Sequence, residues 1–215
     1  MLFTDRHEAG RRLAELLMPY QSDFTVVVGL PRGGVPVAYE VAKALAAPLD
    51  VLGVRKLGAP GNPEYGIGAI AEEDVRLANR NDLEELNISQ STLNDLIASE
   101  TAELQSRLAS IRAVHPPVDV AGRTVLLIDD GLATGITAVA AVRALRLRGA
   151  NKVVLAVPVC AASMPETLRD EVDAVHCVAS PERLGSVGGW YEDFSQTTDE
   201  EVLVLLAASR ERDSL

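Results

Sequence analysis

The chain has 215 residues, 47% of them hydrophobic and 24% charged, the balance of a soluble globular protein that can bury one sizeable core. Its net charge of −11 argues against general affinity for a phosphate backbone, yet a local cluster of Arg and N–H groups can still hold a small anionic substrate. No apolar run reaches membrane-spanning length and the N-terminus lacks a signal-peptide pattern. Cys160 and Cys177 sit inside apolar runs as free thiols without a disulfide or metal role, so a cytoplasmic enzyme is expected.

Taken in order, Ala9, Leu13, Leu16 and Leu17 recur at helical spacing within Arg6 to Met18, with Thr4 or Asp5 as cap and Pro19 as terminator. That helix packs on a sheet, with no chemistry attached to it. Thr25 to Leu30, built on Val26-Val27-Val28, is a buried strand. It runs into Pro31-Arg32-Gly33-Gly34 and then a helix over Val35 to Ala46. Such a turn aims N–H groups and a positive helix end at an anion, and Arg32 adds charge. The alternative is a tight turn whose glycines only allow close packing. Asp50 to Lys56 is a third strand, and its terminal Arg55-Lys56 either meets an anion or is merely solvated.

The next run, Leu57 to Gly66, is dense in breakers and reads as a long functional or mobile loop. Ile67 to Ala71 and Val75 to Leu77 flank Glu72-Glu73-Asp74 as a hairpin. From Asn79 to Ala113 the pattern turns helical, with Ser89 or Ser91 able to start a second helix, and His115-Pro116-Pro117 stiffens the return to the main sheet. This segment, 79–117, exceeds what a crossover needs. A lid, a dimer surface and a plain connection lying on the core all remain open.

Val125 to Ile128 is a short apolar run with the branching of a buried parallel strand, followed at once by Asp129 and Asp130 and then by Gly131-Leu132-Ala133-Thr134-Gly135-Ile136-Thr137. A turn of this kind, leading into helix-like Ala138 to Arg148, can aim N–H groups and the Thr134 and Thr137 hydroxyls at one phosphate. Carboxylates beside such a cradle would be repelled unless they bind something else, and a sugar's hydroxyls with a divalent cation resolve the conflict. Lys152 to Val159 and Ala174 to Val178 supply further strands, with a helix over Met164 to Asp170 between them. Strands alternating with helices specify an α/β fold, a doubly wound, mostly parallel sheet. The expected organisation is a single domain over 1–215, with a helical insertion at 79–117 and a hood-like segment at 180–198. Thr197 to Ala208 closes the chain as a helix, with Thr198 as cap and Glu201 at capping-box distance.

Over Val125 to Thr137 the chain resembles the type I phosphoribosyltransferases, whose signature is an apolar strand, two acidic residues and a T-G-x-T phosphate loop. The resemblance implies that Asp129 and Asp130 hold the ribose hydroxyls of phosphoribosyl pyrophosphate, while Ala133, Thr134, Gly135, Ile136 and Thr137 wrap its 5-phosphate. It implies pyrophosphate contacts from Arg32, Gly33 and Gly34, often through a strained peptide, and from Arg55 and Lys56 under a flexible loop that closes before reaction. It also implies Mg²⁺ as cofactor, with Asp129 and Asp130 beside it and Asp193 orienting a second ion through water. In that family a hood covers the acceptor, and Trp190 or Tyr191 would supply the face. An aromatic that anchors the C-terminal loop to the core is the alternative.

Guanine- and hypoxanthine-type members carry an Asp where this chain has Ala133, whereas adenine members share L-A-T-G and an E-Y-G in the mobile loop, matched here by Glu64-Tyr65-Gly66. Glu64 is thus the candidate proton donor or acceptor. An adenine substrate does not follow, because the preceding loop is shorter. The set P-R-G-G, R-K-L-G, E-Y-G, D-D-G-x-A-T-G and W-Y-x-D-F is similar to that of a bacterial subgroup of predicted phosphoribosyltransferases with no defined acceptor. The resemblance implies a Mg²⁺-dependent, pentosyl-transferring enzyme of nucleotide salvage, homodimeric, with phosphoribosyl pyrophosphate and a nucleobase-like nitrogen acceptor as small-molecule partners and neither nucleic acid nor membrane. A non-catalytic regulator of the same fold, binding phosphoribosyl pyrophosphate or a nucleotide and signalling through the Asn79 to Ala113 helices, is the alternative. A phosphatase or hydrolase built on the two carboxylates lacks a nucleophile-and-base set.

Overall fold

The structure is a computed structural model that describes residues 2–213, the side chains of Glu64 and Asp213 excepted. In chain order, α1 (Arg6–Leu17), β1 (Thr25–Gly29), α2 (Gly34–Leu45) and β2 (Leu49–Val51) precede an antiparallel ribbon of β3 (Val54–Ala59), β4 (Asn62–Ala71) and β5 (Val75–Ala78). Then come α3 (Arg80–Glu85), α4 (Gln90–Arg112), β6 (Thr124–Ile128), α5 (Ile136–Leu147), β7 (Lys152–Val159), α6 (Glu166–Arg169), β8 (Ala174–Ala179) and α7 (Asp199–Asp213). β2-β1-β6-β7-β8 form one parallel sheet.

Alternation along the central strands sorts their side chains to two covered faces, as a parallel sheet demands. Val26, Val28, Val125, Leu127, Val153, Leu155 and Val157 pack towards α5, whereas Val27, Leu126, Ile128, Val154 and Ala156 share a core with α1, α2 and α7. The ends of the helices follow local chemistry. Asp5 caps α1 by accepting the Glu8 N–H, Ser89 rather than Ser91 caps α4, and Thr198 and Glu201 close the anticipated capping box at α7.

Two expectations need correction. Asp50 to Lys56 is two strands: β2 ends at Val51 in the main sheet, and β3 begins at Val54 in the ribbon. The break is made by hydrogen bonding that periodicity does not report, with Leu52 N–H donating to the Gly29 carbonyl and Gly53 N–H to Glu72 Oε1 at 2.6 Å. Leu57 to Gly66 is likewise not an open loop. Its breakers make a hairpin, with Pro60-Gly61 at the tip and register shifts around Gly58. The ribbon is held from both sides: Ala69, Ala71 and Val75 join the α5 core, while Leu57, Ile67 and Ile70 pack with Leu93 and Leu104 of α4.

A buried polar lock joins β2 to the end of α4 and the chain that follows it. Asp50 Oδ1 accepts from Arg112 Nη1 at 2.6 Å and Oδ2 from the Val118 N–H at 3.0 Å, while Arg112 Nη2 donates to the Val51 carbonyl at 2.9 Å. His115 is paired through Nε2 to the Leu49 carbonyl at 3.1 Å, and burial, opposed by the Asp50 charge, lowers its pKa. Among the described residues no helix is long and apolar enough to cross a membrane.

Candidate functional site

β1 and β6 are parallel neighbours in register, Gly29 opposite Ile128, so the turns that leave their carboxyl ends share one rim of the sheet. The contact between those turns is direct. A Cβ on Gly33 would fall 2.0 Å from Asp130 Oδ2, and one on Gly34 would fall 2.7 Å from the Ile128 carbonyl oxygen and 3.0 Å from Asp129 Cα. Close approach, rather than backbone freedom, is what these two glycines supply. The Pro31–Arg32 peptide is cis. Gly34 and Val35 commit their N–H groups to the Leu30 and Arg32 carbonyls, which leaves the Arg32 and Gly33 amides as the donors this turn can present to an anion.

The second turn is held at Leu132 and Gly135 and open between them. Leu132 is buried and donates its N–H to the Val159 carbonyl at 2.9 Å, whereas Ala133 and Thr134 are exposed. Gly135, at φ +78°, is the N-cap of α5 and provides no capping side chain. The first amides of α5, at Ile136, Thr137 and Ala138, therefore face outward with the positive end of the helix. Thr134, Gly135 and Ile136 line a cleft of about 720 Å³ whose other wall is Tyr65, Gly66 and Asp82. Tyr65 donates its hydroxyl to Asp82 Oδ1 at 2.9 Å, tying the β4 end of the hairpin to α3.

Between the turns lie the two carboxylates. Asp129 Oδ1 accepts the Asp130 N–H at 2.9 Å, and Asp130 Oδ2 accepts from Arg6 Nε at 2.9 Å. Burial pushes the Asp129 pKa well above the usual carboxylate range, and the neighbouring Asp130 charge adds to the rise. Burial also raises that of Asp130, against the pull of Arg6. Adjacent acids destabilised in this way have the chemistry to hold a cation or to accept from hydroxyl groups, because either would compensate their buried, mutually repelling charges. Among the described residues no group of three or more His, Cys, Asp or Glu could hold a metal alone, so the ligand would have to complete any such site.

The remaining sequence candidates are spread unevenly. Arg55 does not turn towards the acids: its Nε bonds Glu100 of α4 at 2.5 Å, with Glu103 at 3.8 Å from Nη1. Strand alternation sends neighbouring Lys56 to the opposite face, exposed, with its alkyl chain across Gly66. Tyr191 is buried rather than presented as a flat face. Its hydroxyl donates to the Asp130 carbonyl at 2.5 Å, and its ring packs between Phe3 and Phe194. Trp190 is half-buried and donates Nε1–H to the Leu184 carbonyl. Asp193 accepts the Ser195 N–H and is not gathered with Asp129 and Asp130 into a metal cluster. Arg32 is half-exposed on the rim, and the Glu64 side chain lies outside the described residues. Sequence reading missed Arg6, whose partner stands 124 positions away and which no local pattern links to the acids.

The sequence matches the phosphoribosyl transferase domain over residues 5–188. The chain belongs to the phosphoribosyltransferase family. Two curated phosphoribosyltransferase relatives from Mycobacterium tuberculosis strains, "Putative phosphoribosyl transferase MT0597" and "Putative phosphoribosyl transferase Rv0571c", are each 44% identical over 205 residues, covering 95% of this chain. The chain spans about half the length of these relatives, 46% of each. The crystal structure of TT1426 from Thermus thermophilus is 41% identical, with a TM-score of 0.80 over 97% of this chain and 99% of that one. A hypothetical protein from Neisseria gonorrhoeae with bound ppGpp shares the phosphoribosyltransferase fold at 14% identity, with a TM-score of 0.51 over 98% and 97% of the two chains.

Proposed function

We propose that this protein transfers a 5-phosphoribosyl group from phosphoribosyl pyrophosphate to a nitrogen acceptor of nucleobase-like chemistry, releasing pyrophosphate. The observation that carries the reading is the direct contact between the Pro31–Gly34 turn and the Asp129–Asp130 pair, with the open N-terminus of α5 six residues further on. Two anion-binding turns flank two acceptors for hydroxyls, the order of groups along a sugar phosphorylated at both ends.

In this reading the amides of residues 134–138 and the Thr134 and Thr137 hydroxyls hold the 5-phosphate, and Asp129 and Asp130 accept the ribose hydroxyls. The same carboxylates lie near the positive charge that grows on the sugar as the anomeric bond to pyrophosphate lengthens. Arg32, the Arg32 and Gly33 amides and Lys56 hold the departing pyrophosphate. Asp129 and Asp130 would hold Mg²⁺, which would supply charge neutralisation to the leaving group. Positioning and charge compensation provide most of the rate, with little demand for proton transfer. Arg55 drops out of this set because Glu100 and Glu103 already hold it. Trp190 is the better placed of the two aromatics to cover an acceptor, Tyr191 being buried beneath Asp130.

The test is calorimetric titration with phosphoribosyl pyrophosphate and Mg²⁺, followed by pyrophosphate-release assays over a panel of purines, pyrimidines and small amines. Micromolar binding with acceptor-dependent release is expected. Absence of binding overturns the reading, and tight binding without release for any acceptor moves it to the non-catalytic regulator.

A further inference from the structure

Arg6 stands where a cation is least favoured in a helix, in the first turn of α1 beside the positive end of the macrodipole. Its side chain is nevertheless only 11% exposed and is held by several partners. Nε donates to Asp130 Oδ2 at 2.9 Å, Nη1 donates to the Ser195 carbonyl at 2.7 Å, and Cζ lies 3.9 Å from the centre of the Phe194 ring. The guanidinium also borders the glycine turn, since a Cβ on Gly33 would sit 3.2 Å from Nε. One side chain thus touches three segments far apart in sequence: the Pro31–Gly34 turn, the acidic pair, and residues 191–195.

We propose that Arg6 is a positioning residue for the sugar site: it holds the Asp130 carboxylate in place beside Asp129 and joins it to the Phe194–Ser195 segment, so that ribose site and cover are assembled together. The proposal rests on the phosphoribosyl-transfer reading. Two carboxylates on adjacent residues repel, and a guanidinium bonded to Asp130 Oδ2 offsets that repulsion while both side chains stay in place. Arg6 binds one Asp130 oxygen and leaves the other, with Asp129, for hydroxyl groups. A planar guanidinium suits the task because it donates in its plane to two acceptors while its face lies on an aromatic ring. Lysine would keep the charge and lose both the planar fork that spans Asp130 and Ser195 and the flat stack on Phe194.

The experiment compares two ligands, Mg²⁺–phosphoribosyl pyrophosphate and metal-free pyrophosphate, in wild type, Arg6→Lys, Arg6→Met and Phe194→Leu, with melting temperatures as a control on folding. Metal-free pyrophosphate lacks both the sugar and the ion that the acids would hold, so it reports the anion turns without the acids. Arg6→Met is expected to weaken phosphoribosyl pyrophosphate by about 10–100-fold, the usual effect of removing a residue that orients a ligand-binding carboxylate, and to leave pyrophosphate within about 2-fold. Arg6→Lys should fall between, and Phe194→Leu, at a partly exposed position, should cost about 3-fold for the sugar ligand alone. Equal loss of both ligands, or unchanged sugar-ligand affinity in Arg6→Met, overturns the proposal. Should Arg6→Met fail to fold, unchanged sugar-ligand affinity in both Arg6→Lys and Phe194→Leu overturns it equally. Wild-type protein that binds pyrophosphate but not phosphoribosyl pyrophosphate overturns the functional reading and the role of Arg6 with it.

Discussion

Asp129 is a carboxyl group kept where its charge is disfavoured, by burial first and by Asp130 second. Its folded pKa lies above the unfolded value, so the folded state retains a proton that the unfolded chain releases, and ligand-free stability falls as pH rises above about 4 towards the raised value. Asp129→Asn removes that cost. In thermal melts near neutral pH the ligand-free variant is expected to gain about 2–4 °C, the shift that about 1 kcal/mol gives in a domain of this size. The Asp129→Asn, Asp130→Asn double variant should lose sugar-ligand binding altogether in titration calorimetry. Gly34→Ala belongs to the same scale: its methyl would press on the Ile128 carbonyl, which is backbone and cannot swing aside, so a loss of about 1–3 kcal/mol is expected from urea denaturation. Residues of this kind were legible in the sequence because their meaning is local. A strand, two acids and a Gly-Thr turn lie within thirteen positions, and PRGG carries its own signature. Arg6 was not legible, because nothing in α1 reveals that its side chain crosses to Asp130.

At the scale of elements, helices and their caps followed directly from pattern, and the errors fell on the ribbon. Strand Asp50 to Lys56 looked continuous since apolar and β-branched residues run through it. What divides it is the partner each half finds, β1 for Val51 and β4 for Val54, and partners are set by tertiary contact. The breakers of Leu57 to Gly66 signalled a turn correctly but said nothing of the pairing on either side of it. The capping box of α7 shows the opposite case, a short-range device fully visible in TTDEE. Thr198→Ala leaves the Glu201 N–H without its acceptor and should lower stability by about 1 kcal/mol, read as a lower urea midpoint with an unchanged slope.

Over the whole molecule, the Asp50–Arg112–His115 lock ties the end of α4 to β2 and so holds the ribbon's support against the main sheet. Because burial lowers the His115 pKa, the unfolded chain binds a proton that the folded one refuses. Stability is then complete above about pH 6.5 and declines as pH falls below it. His115→Gln should flatten that acid slope in melts taken between pH 7 and 5. Asp50→Asn, which removes the nearer of the two carboxylates facing Arg112, should cost about 3 kcal/mol at neutral pH. No spacing in the sequence unites these three residues, which is why an arrangement so central to the architecture stayed out of view.

The pairing of Phe3 with Trp190 and of Thr4 with Asp193 brings the strand-like lead into α1 together with the segment after β8, where Tyr191 bonds the Asp130 carbonyl. Contacts of such long sequence separation carry a high loop-closure cost and are expected to form after the strands of the sheet have paired. On a ribosome, the acids would emerge and fold against β1 while the segment that finishes their surroundings is still being made. A late event of this kind is expected to show as a lag: a kinetic trace of phosphoribosyl pyrophosphate capture during refolding should trail the recovery of secondary structure.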